Sequence, residues 1–304
     1  MRKIKFLIGI FAFLFFLSYF FWWEIFVPKD KVSSEKIFTV EKGQGLLEIG
    51  KNLKKEGLIK NEIFFDFYLI FIRKEKNLQA GKYYLSSTMN IPEIAQKIIS
   101  GETAKIKVTI PEGSRVKEIE EKLGLKLPGD NLEGYLFPDT YYFPVGVSGE
   151  EVVKTMRENF EKKISPYKEE IERSGKTLQE IITMASLIEK EVKEKEDKEI
   201  VSGILWKRLK TGIPLQVDAT ITYLTGKKTT KLTLEDLQID SPYNTYKYKG
   251  LPPGPICNPG LESILAALYP KESEYWYYLS TPEGKTIFSK TLEEHNIAKE
   301  KYLR

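Results

Sequence analysis

The sequence predicts an α+β protein: an N-terminal transmembrane helix, a small α/β module, and then a mainly helical domain with aromatic and proline-rich loops. Three observations carry that reading. An uncharged apolar run opens the chain, strand-like segments alternate with capped helices as far as Ile110, and apolar residues recur at helical spacing from Ser114 onward. The 304 residues suffice for two domains and an anchor, and a 41% hydrophobic share with 17 Tyr and 17 Phe can fill real cores. The expected division is 1–27 for the cytoplasmic start and anchor, 28–35 for a linker, 36–110 for the module and 111–304 for the larger domain.

Arg2, Lys3 and Lys5 precede the apolar run from Phe6 to Trp23. At a rise of ~1.5 Å per residue, about 18 to 20 such residues just span the hydrocarbon core of a bilayer. Basic residues before the run set a cytoplasmic start, and Trp22 and Trp23 suit the opposite interface. A cleaved signal peptide would show small residues in an A-x-A-like pattern, and Phe20-Phe21-Trp22-Trp23-Glu24 offers none. The run therefore predicts an uncleaved single span, with everything after about residue 27 outside the cytoplasm.

After a polar linker, Lys36 to Val40 reads as a strand and Lys42-Gly43-Gln44-Gly45 as a turn into a helix running to about Glu56. Asn61 suits the N-cap of a second helix. Gly81 to Leu85 reads as a strand, Ile91 to Ser100 as a helix stopped by Gly101, and Lys105 to Ile110 as another strand. The strand–helix–helix–strand order is compatible with a LysM-like glycan-binding unit, but element order alone does not show binding.

The larger domain carries an aromatic, proline-broken stretch from Glu133 to Pro144. It reads either as a loop packed under the domain or as a wall on which sugar rings stack. Thr177-Leu178-Gln179-Glu180 is a capping box, and the helix it opens carries Leu178, Ile181, Met184, Ala185, Ile188 and Val192 on one side. A second amphipathic helix runs from Asp197 to Leu209, with Gly212 just past its end. Asp218 suits the N-cap of a helix beginning near Ala219. Asn258-Pro259-Gly260 reads as an N-cap with proline at the first helical position.

Composition excludes several chemistries. Cys257 is the single cysteine and His295 the single histidine, so no disulfide framework, multi-cysteine metal motif or histidine-rich zinc site can form, and no cofactor is expected. A net charge of +4 from 47 basic and 43 acidic side chains is ordinary mixed surface and gives no support to nucleic-acid binding. Chemistry must then run on carboxylates, amides, hydroxyls or backbone groups. Glu189 to Glu196 reads first as a solvated charged face, yet on a helical wheel Glu191 falls inside the apolar arc, between Leu187 and Met184, and Glu189 near its other border. A carboxyl group against an apolar surface keeps its proton toward neutrality, as a general acid for glycoside cleavage must. Gln216 and Asp218 stand together at a helix entry, with Gln216 suited to hydrogen-bond an N-acetyl group or hydroxyl. Ser241-Pro242-Tyr243-Asn244-Thr245-Tyr246 leads into the rigid Gly250 to Ile256 loop. Cys257 reads as a small packed residue, and His295 as a structural residue or a proton-transfer partner.

These residues carry a resemblance. Met184-Ala185-Ser186-Leu187-Ile188-Glu189-Lys190-Glu191, Leu215-Gln216-Val217-Asp218, Tyr243-Asn244-Thr245-Tyr246 and Gly250-Leu251-Pro252-Pro253-Gly254 are similar, in order, to the endolytic murein transglycosylases of the YceG-like family. The stretch from Glu133-Gly134 to Pro138-Asp139-Thr140 and Glu294-His295-Asn296 match as well, so the likeness runs nearly the whole chain. The resemblance implies a LysM-like module beside the membrane, a catalytic domain after it, and Glu191 as the catalytic residue. Gln216, Asp218, Asn244, Glu133, Tyr243 and His295 are the expected substrate-binding groups. The implied partners are peptidoglycan glycan strands, the bilayer around residues 6–23 of a single-pass cell-membrane protein, and cell-wall synthesis proteins. The implied reaction cuts the bond between N-acetylmuramic acid and N-acetylglucosamine in nascent strands and leaves 1,6-anhydro ends, which terminates strand elongation. Two other readings stay open: a hydrolytic muramidase, with Asp218 or Glu133 as its second carboxylate, and a non-catalytic peptidoglycan scaffold.

Overall fold

In the computed structural model, which describes residues 2–32, 35–227 and 232–303, the chain divides into two compact units. The first comprises residues 1–107 with a return segment, 142–146; the second comprises 108–141 and 147–304. The return segment is something a linear reading of the chain does not anticipate.

The first unit begins with α1 (Arg2–Phe26), whose side chains from Phe6 through Phe20 are all exposed. It contains one apolar stretch, Phe6–Phe26, long enough to cross a membrane. That fits a single-pass anchor or a signal sequence. The side chains of Arg2, Lys3 and Lys5, on which the expected orientation rests, lie outside the described ones. Strands β1 (Glu35–Val40) and β2 (Gly81–Ser86) pair antiparallel, with Phe38 opposite Tyr83. Helices α2 (Leu46–Lys55), α3 (Glu62–Phe71) and α4 (Ile91–Ser100) complete a core of Phe38, Leu53, Phe65, Tyr83, Leu85 and Ile94. The Asn61 side chain caps α3 as the sequence implies, accepting from the Ile63 N–H at 3.1 Å, and Asn90 and Glu93 add a reciprocal capping box at the start of α4. Gly101, at φ 69°, ends α4 in the left-handed region. β3 (Lys105–Thr109) pairs with a strand formed by the end of the aromatic stretch, given below as β4, and both strands are shared between the two units.

The second unit continues with α5 (Val116–Leu123), β4 (Thr140–Pro144), α6 (Gly149–Ile164), α7 (Lys168–Arg173), α8 (Leu178–Glu191), α9 (Lys195–Lys210), α10 (Asp218–Thr225), α11 (Leu261–Leu268), the β5–β6 hairpin (Tyr277–Ser280 and Thr286–Ser289) and α12 (Leu292–Tyr302). Its axis is α8, in which every residue from Ile181 to Ile188 is buried. Helices α9, α10 and α11 all pack on it, so burial here is on every side rather than along one stripe. Within the aromatic stretch Leu136, Phe137, Tyr141 and Phe143 are buried, which is the packed-loop arrangement, while Tyr142 is exposed.

Two capping expectations are corrected. Asn258 does not cap α11, whose N-cap is Gly260; the Asn258 side chain is fully buried and accepts from the Leu136 N–H at 2.9 Å while donating to the Ser114 carbonyl at 2.9 Å. A loop 122 residues away in sequence needs those bonds, and no sequence-local rule shows them. Asp218 is the first residue of α10 rather than its N-cap, which is Val217, and makes no capping bond. Replacing Asn258 by Ala should strand the buried Leu136 N–H, while the Ser114 carbonyl keeps the Asn258 backbone N–H at 2.9 Å, and cost about 2 kcal/mol. A thermal or denaturant melt of the full chain reads this as an early transition of the second unit.

Candidate active site

Glu191 is the last residue of α8, half-buried and three residues past the buried run from Ile181 to Ile188. One carboxyl oxygen, Oε2, accepts from the Tyr278 hydroxyl at 3.0 Å, and the Ala219 N–H in the first turn of α10 also bonds this carboxyl. Ser280 anchors the same turn by donating to the Glu191 carbonyl at 3.0 Å. Desolvation comes first and the neighbouring Asp218 charge second, and together they push the Glu191 pKa up to about 7 against the two hydrogen bonds, which favour the ionised form. The group is thus poised between its acid and base forms near neutrality.

Glu189, two residues earlier, has a different environment. Its Oε2 accepts from the Gly260 N–H at 3.0 Å and the Ser263 hydroxyl at 2.6 Å, so it caps α11, and the buried Lys198 lies 3.7 Å from its other oxygen. Glu189 ties three helices together. The wheel alone could not separate the two glutamates, because α8 has no exposed stripe over its last buried turns; their partners separate them.

Around Glu191 the structure brings together Asp218, Gln216, Tyr246, Tyr278 and Arg208. Asp218 accepts from the Tyr246 hydroxyl, and Tyr246 and Tyr278 are both pushed well above the ordinary phenol range, first by burial and then by the carboxylates they meet. Gln216 sits at φ 54°, a conformation a side chain rarely adopts. Its carbonyl oxygen accepts from the buried Arg208 guanidinium at 2.9 Å, and the residue is exposed. The Thr245 carbonyl and hydroxyl hold the backbone N–H groups of Gln216 and Val217 at 3.0 and 2.9 Å, so the strained residue is pinned on both sides.

Other predicted residues lie elsewhere. Asn244 is fully buried; its amide donates to the Leu237 and Ile239 carbonyls at 2.9 and 2.8 Å and its oxygen accepts from the Tyr246 N–H at 3.0 Å. This differs from the expected substrate contact: the side chain shapes the loop that delivers Thr245 and Tyr246. His295 is buried against Tyr277, with ring centroids 5.2 Å apart, and burial together with Lys299 and Arg208 holds its pKa down to about 4, so the ring is neutral. Arg208 lies over the same Tyr277 ring, 5.6 Å from its centroid. Among the described residues no hydrogen bond joins His295 to Glu191; the ring stacks on Tyr277, over which Arg208 also lies. The Cys257 thiol donates to the Ser186 carbonyl at 3.4 Å and burial pushes its pKa far up, as a packed residue requires.

Glu133 and Tyr243 belong to a separate cleft of about 590 Å³, also lined by Tyr135, Arg157, Gln179 and Pro253. Glu133 accepts from the Val116 N–H at 3.1 Å and from Asn258 at 3.2 Å, yet desolvation outweighs these bonds and its pKa rises to about 7. Tyr243 packs on Tyr223 of α10 at 5.2 Å between centroids, so α10 presents its first turn to Glu191 and its far end to this cleft. Sequence reasoning missed Tyr278 and Arg208. The run Tyr275-Trp276-Tyr277-Tyr278 before Thr281-Pro282-Glu283-Gly284 was a readable hairpin signal, but its pairing with the end of α8 spans 87 residues.

A profile of the YceG-like family matches residues 38–301. The chain belongs to the YceG-like family. It is 35% identical to a Bacillus subtilis protein named endolytic murein transglycosylase, over 91% of this chain and 87% of that one. A Streptococcus pneumoniae protein of the same name is 30% identical over 89% of this chain and 59% of its own length. The crystal structure of a YceG-like protein from Listeria monocytogenes, lmo1499, superimposes with a TM-score of 0.61 at 34% identity, covering 88% of this chain and all of that one.

The competing influences on Glu191 predict opposite shifts. Asp218→Asn removes the charge that raises the Glu191 pKa, so loss of the acid form moves to lower pH; Tyr278→Phe removes a bond to the ionised form and moves it to higher pH. The alkaline limb of kcat/KM against pH, falling near pH 7 in the parent, reports both.

Proposed function

We propose that this chain is an endolytic peptidoglycan lytic transglycosylase. The observation that carries the proposal is a single carboxyl group, Glu191, held near its point of half-ionisation between the Tyr278 hydroxyl and the first turn of α10 in a YceG-like chain. Relatives that share most of this chain are named for that activity.

In the proposed reaction the protonated Glu191 donates to the glycosidic oxygen between N-acetylmuramic acid and N-acetylglucosamine. The bonding pair of the C1–O bond leaves with that oxygen, and an oxocarbenium-like centre develops at C1 beside the Asp218 charge, which stabilises it. The Glu191 carboxylate then takes the proton from the muramic acid 6-hydroxyl as O6 bonds to C1. A 1,6-anhydro ring forms, the acid is restored, and no water is consumed. Because the nucleophile is part of the substrate, proximity replaces a second activated group. Gln216, exposed and with its carbonyl oxygen held by Arg208, suits an N-acetyl carbonyl through its amide N–H groups. Glu133 and Tyr243, in the second cleft, suit a further sugar of the same strand, where aromatic faces meet a carboxyl group of raised pKa and an amide.

The hydrolytic alternative needs a second carboxylate to activate water. Asp218 is engaged by Tyr246 and Glu133 by Val116 and Asn258, which supports the lytic route. In the cell, we take α1 as a single-pass anchor with a cytoplasmic start, the first unit as a LysM-like glycan-binding module and the second as the catalytic domain outside the membrane. A tethered enzyme there meets nascent strands beside the synthesis machinery, and cutting them ends their elongation.

Glu191→Gln should lower the release of glycan fragments from purified peptidoglycan by about 10³-fold or more, with folding unchanged. Mass spectrometry of the parent digest should show anhydro ends. Reducing ends would replace the lytic route by hydrolysis, and full cleavage by Glu191→Gln would remove this residue from the mechanism.

A further inference from the structure

Helix α3, in the first unit, is apolar on both faces. Phe64, Phe65 and Leu69 enter the core of the unit, but Ile63, Phe67, Ile70 and Phe71 are 64, 47, 57 and 75% exposed. Spaced i, i+4, i+7 and i+8, these four form one continuous stripe along the outer side. A helix apolar all round is normally covered all round, and an unbroken aromatic and aliphatic stripe on a water-facing surface is costly unless something covers it.

What lies next to the stripe identifies the cover. The last turns of the apolar helix α1 pack directly on α3: the Phe21 ring meets Phe64 at 5.3 Å and Phe67 at 5.7 Å, and Phe67 stacks on Phe71 at 6.2 Å. The exposed stripe is therefore continuous with the exposed flank of the apolar span. At this junction Lys60 lies 5.1 Å over the Trp23 ring and donates to the Trp23 carbonyl at 3.3 Å, a pairing of basic and aromatic groups suited to headgroup depth. Beyond the helix end, Arg73, Lys74 and Lys76 are all exposed, and positive charges beside an apolar face favour anionic headgroups.

We propose that α3 lies in the membrane interface, with Ile63, Phe67, Ile70 and Phe71 immersed at the boundary between headgroups and acyl chains of an anionic lipid surface. The first unit is then seated on the bilayer by two elements, α1 through it and α3 along it. This inference concerns the seating of the first unit and stands apart from the chemistry at Glu191.

The test uses the full chain reconstituted into nanodiscs of phosphatidylglycerol and phosphatidylethanolamine. Nitroxide labels are placed on Phe67→Cys and Phe71→Cys, with Lys55→Cys on α2 as the exposed control; the native Cys257 is buried and does not compete for label. Collision with apolar oxygen relative to a water-soluble nickel chelate should be about threefold higher at 67 and 71 than at 55. In a second protein labelled through Ile70→Cys, the paired changes Phe67→Ser and Phe71→Ser should return that ratio to the control value. Ratios at 67 and 71 equal to the control would overturn the proposal, as would an Ile70 label indifferent to the paired change. Because these discs contain lipid alone, a stripe kept for a protein partner would give the overturning result.

Discussion

The second unit depends on the complete burial of α8 from Ile181 to Ile188. A helix enclosed by three neighbours has no freedom to rotate or slide, so the residues just past the enclosed run are placed by the packing of everything before them. Glu189 and Glu191 are among those residues. Two further constraints act on the same turn: Glu189 joins α8 to the start of α11 and, through Lys198, to α9, while Ser280 holds the Glu191 carbonyl from the hairpin. A carboxyl group fixed in this way has little rotational entropy left to lose on meeting a substrate, which is the condition for effective proximity.

Glu189 and Glu191 show how neighbours of one residue type separate by environment. Both stand at the same helix end and both meet an N-terminal turn, Glu189 that of α11 and Glu191 that of α10. Glu189 also has a buried lysine and a serine hydroxyl, so its charge is neutralised and its lone pairs are used. Glu191 has a phenol and an N–H on one side and a like charge on the other, with no cation in salt-bridge contact among the described residues. The first arrangement suits a structural tie; the second leaves a proton that can be given away.

Local rules were legible in the chain, and contacts between distant segments were not. Thr177, Asn61 and Gly101 announce helix ends through their own chemistry, and the structure places caps at each. Asn258 carries an equally good capping signature and does something else, because Leu136 and Ser114, which claim its side chain, are remote in sequence. Glu191 could be singled out because its helix is self-evident and its motif recognisable. Tyr278 could not, because nothing in a hairpin's own sequence says which helix end it will meet. Asn244 illustrates a further limit. A motif marks a residue as important without telling whether it touches the ligand or builds the loop, and only its burial and its four occupied bonds distinguish the two.

A carboxyl group that must both donate and reclaim a proton faces a constraint that a one-way acid does not. With its pKa far above the working pH, donation is secure but the carboxylate is too rarely free to take the hydroxyl proton; with its pKa far below, the reverse holds. The optimum is a balance, and the neighbours of Glu191 act in opposite senses: burial and Asp218 push upward, Tyr278 and the Ala219 N–H pull downward. Asp218 and Ala219 are adjacent residues of one helix start, so a single turn of α10 supplies one influence of each sign. Shifting that turn alters the balance from both sides together, which gives a physical reason for pinning it so firmly, by Thr245 on the backbone of Gln216 and Val217 and by Tyr246 on Asp218.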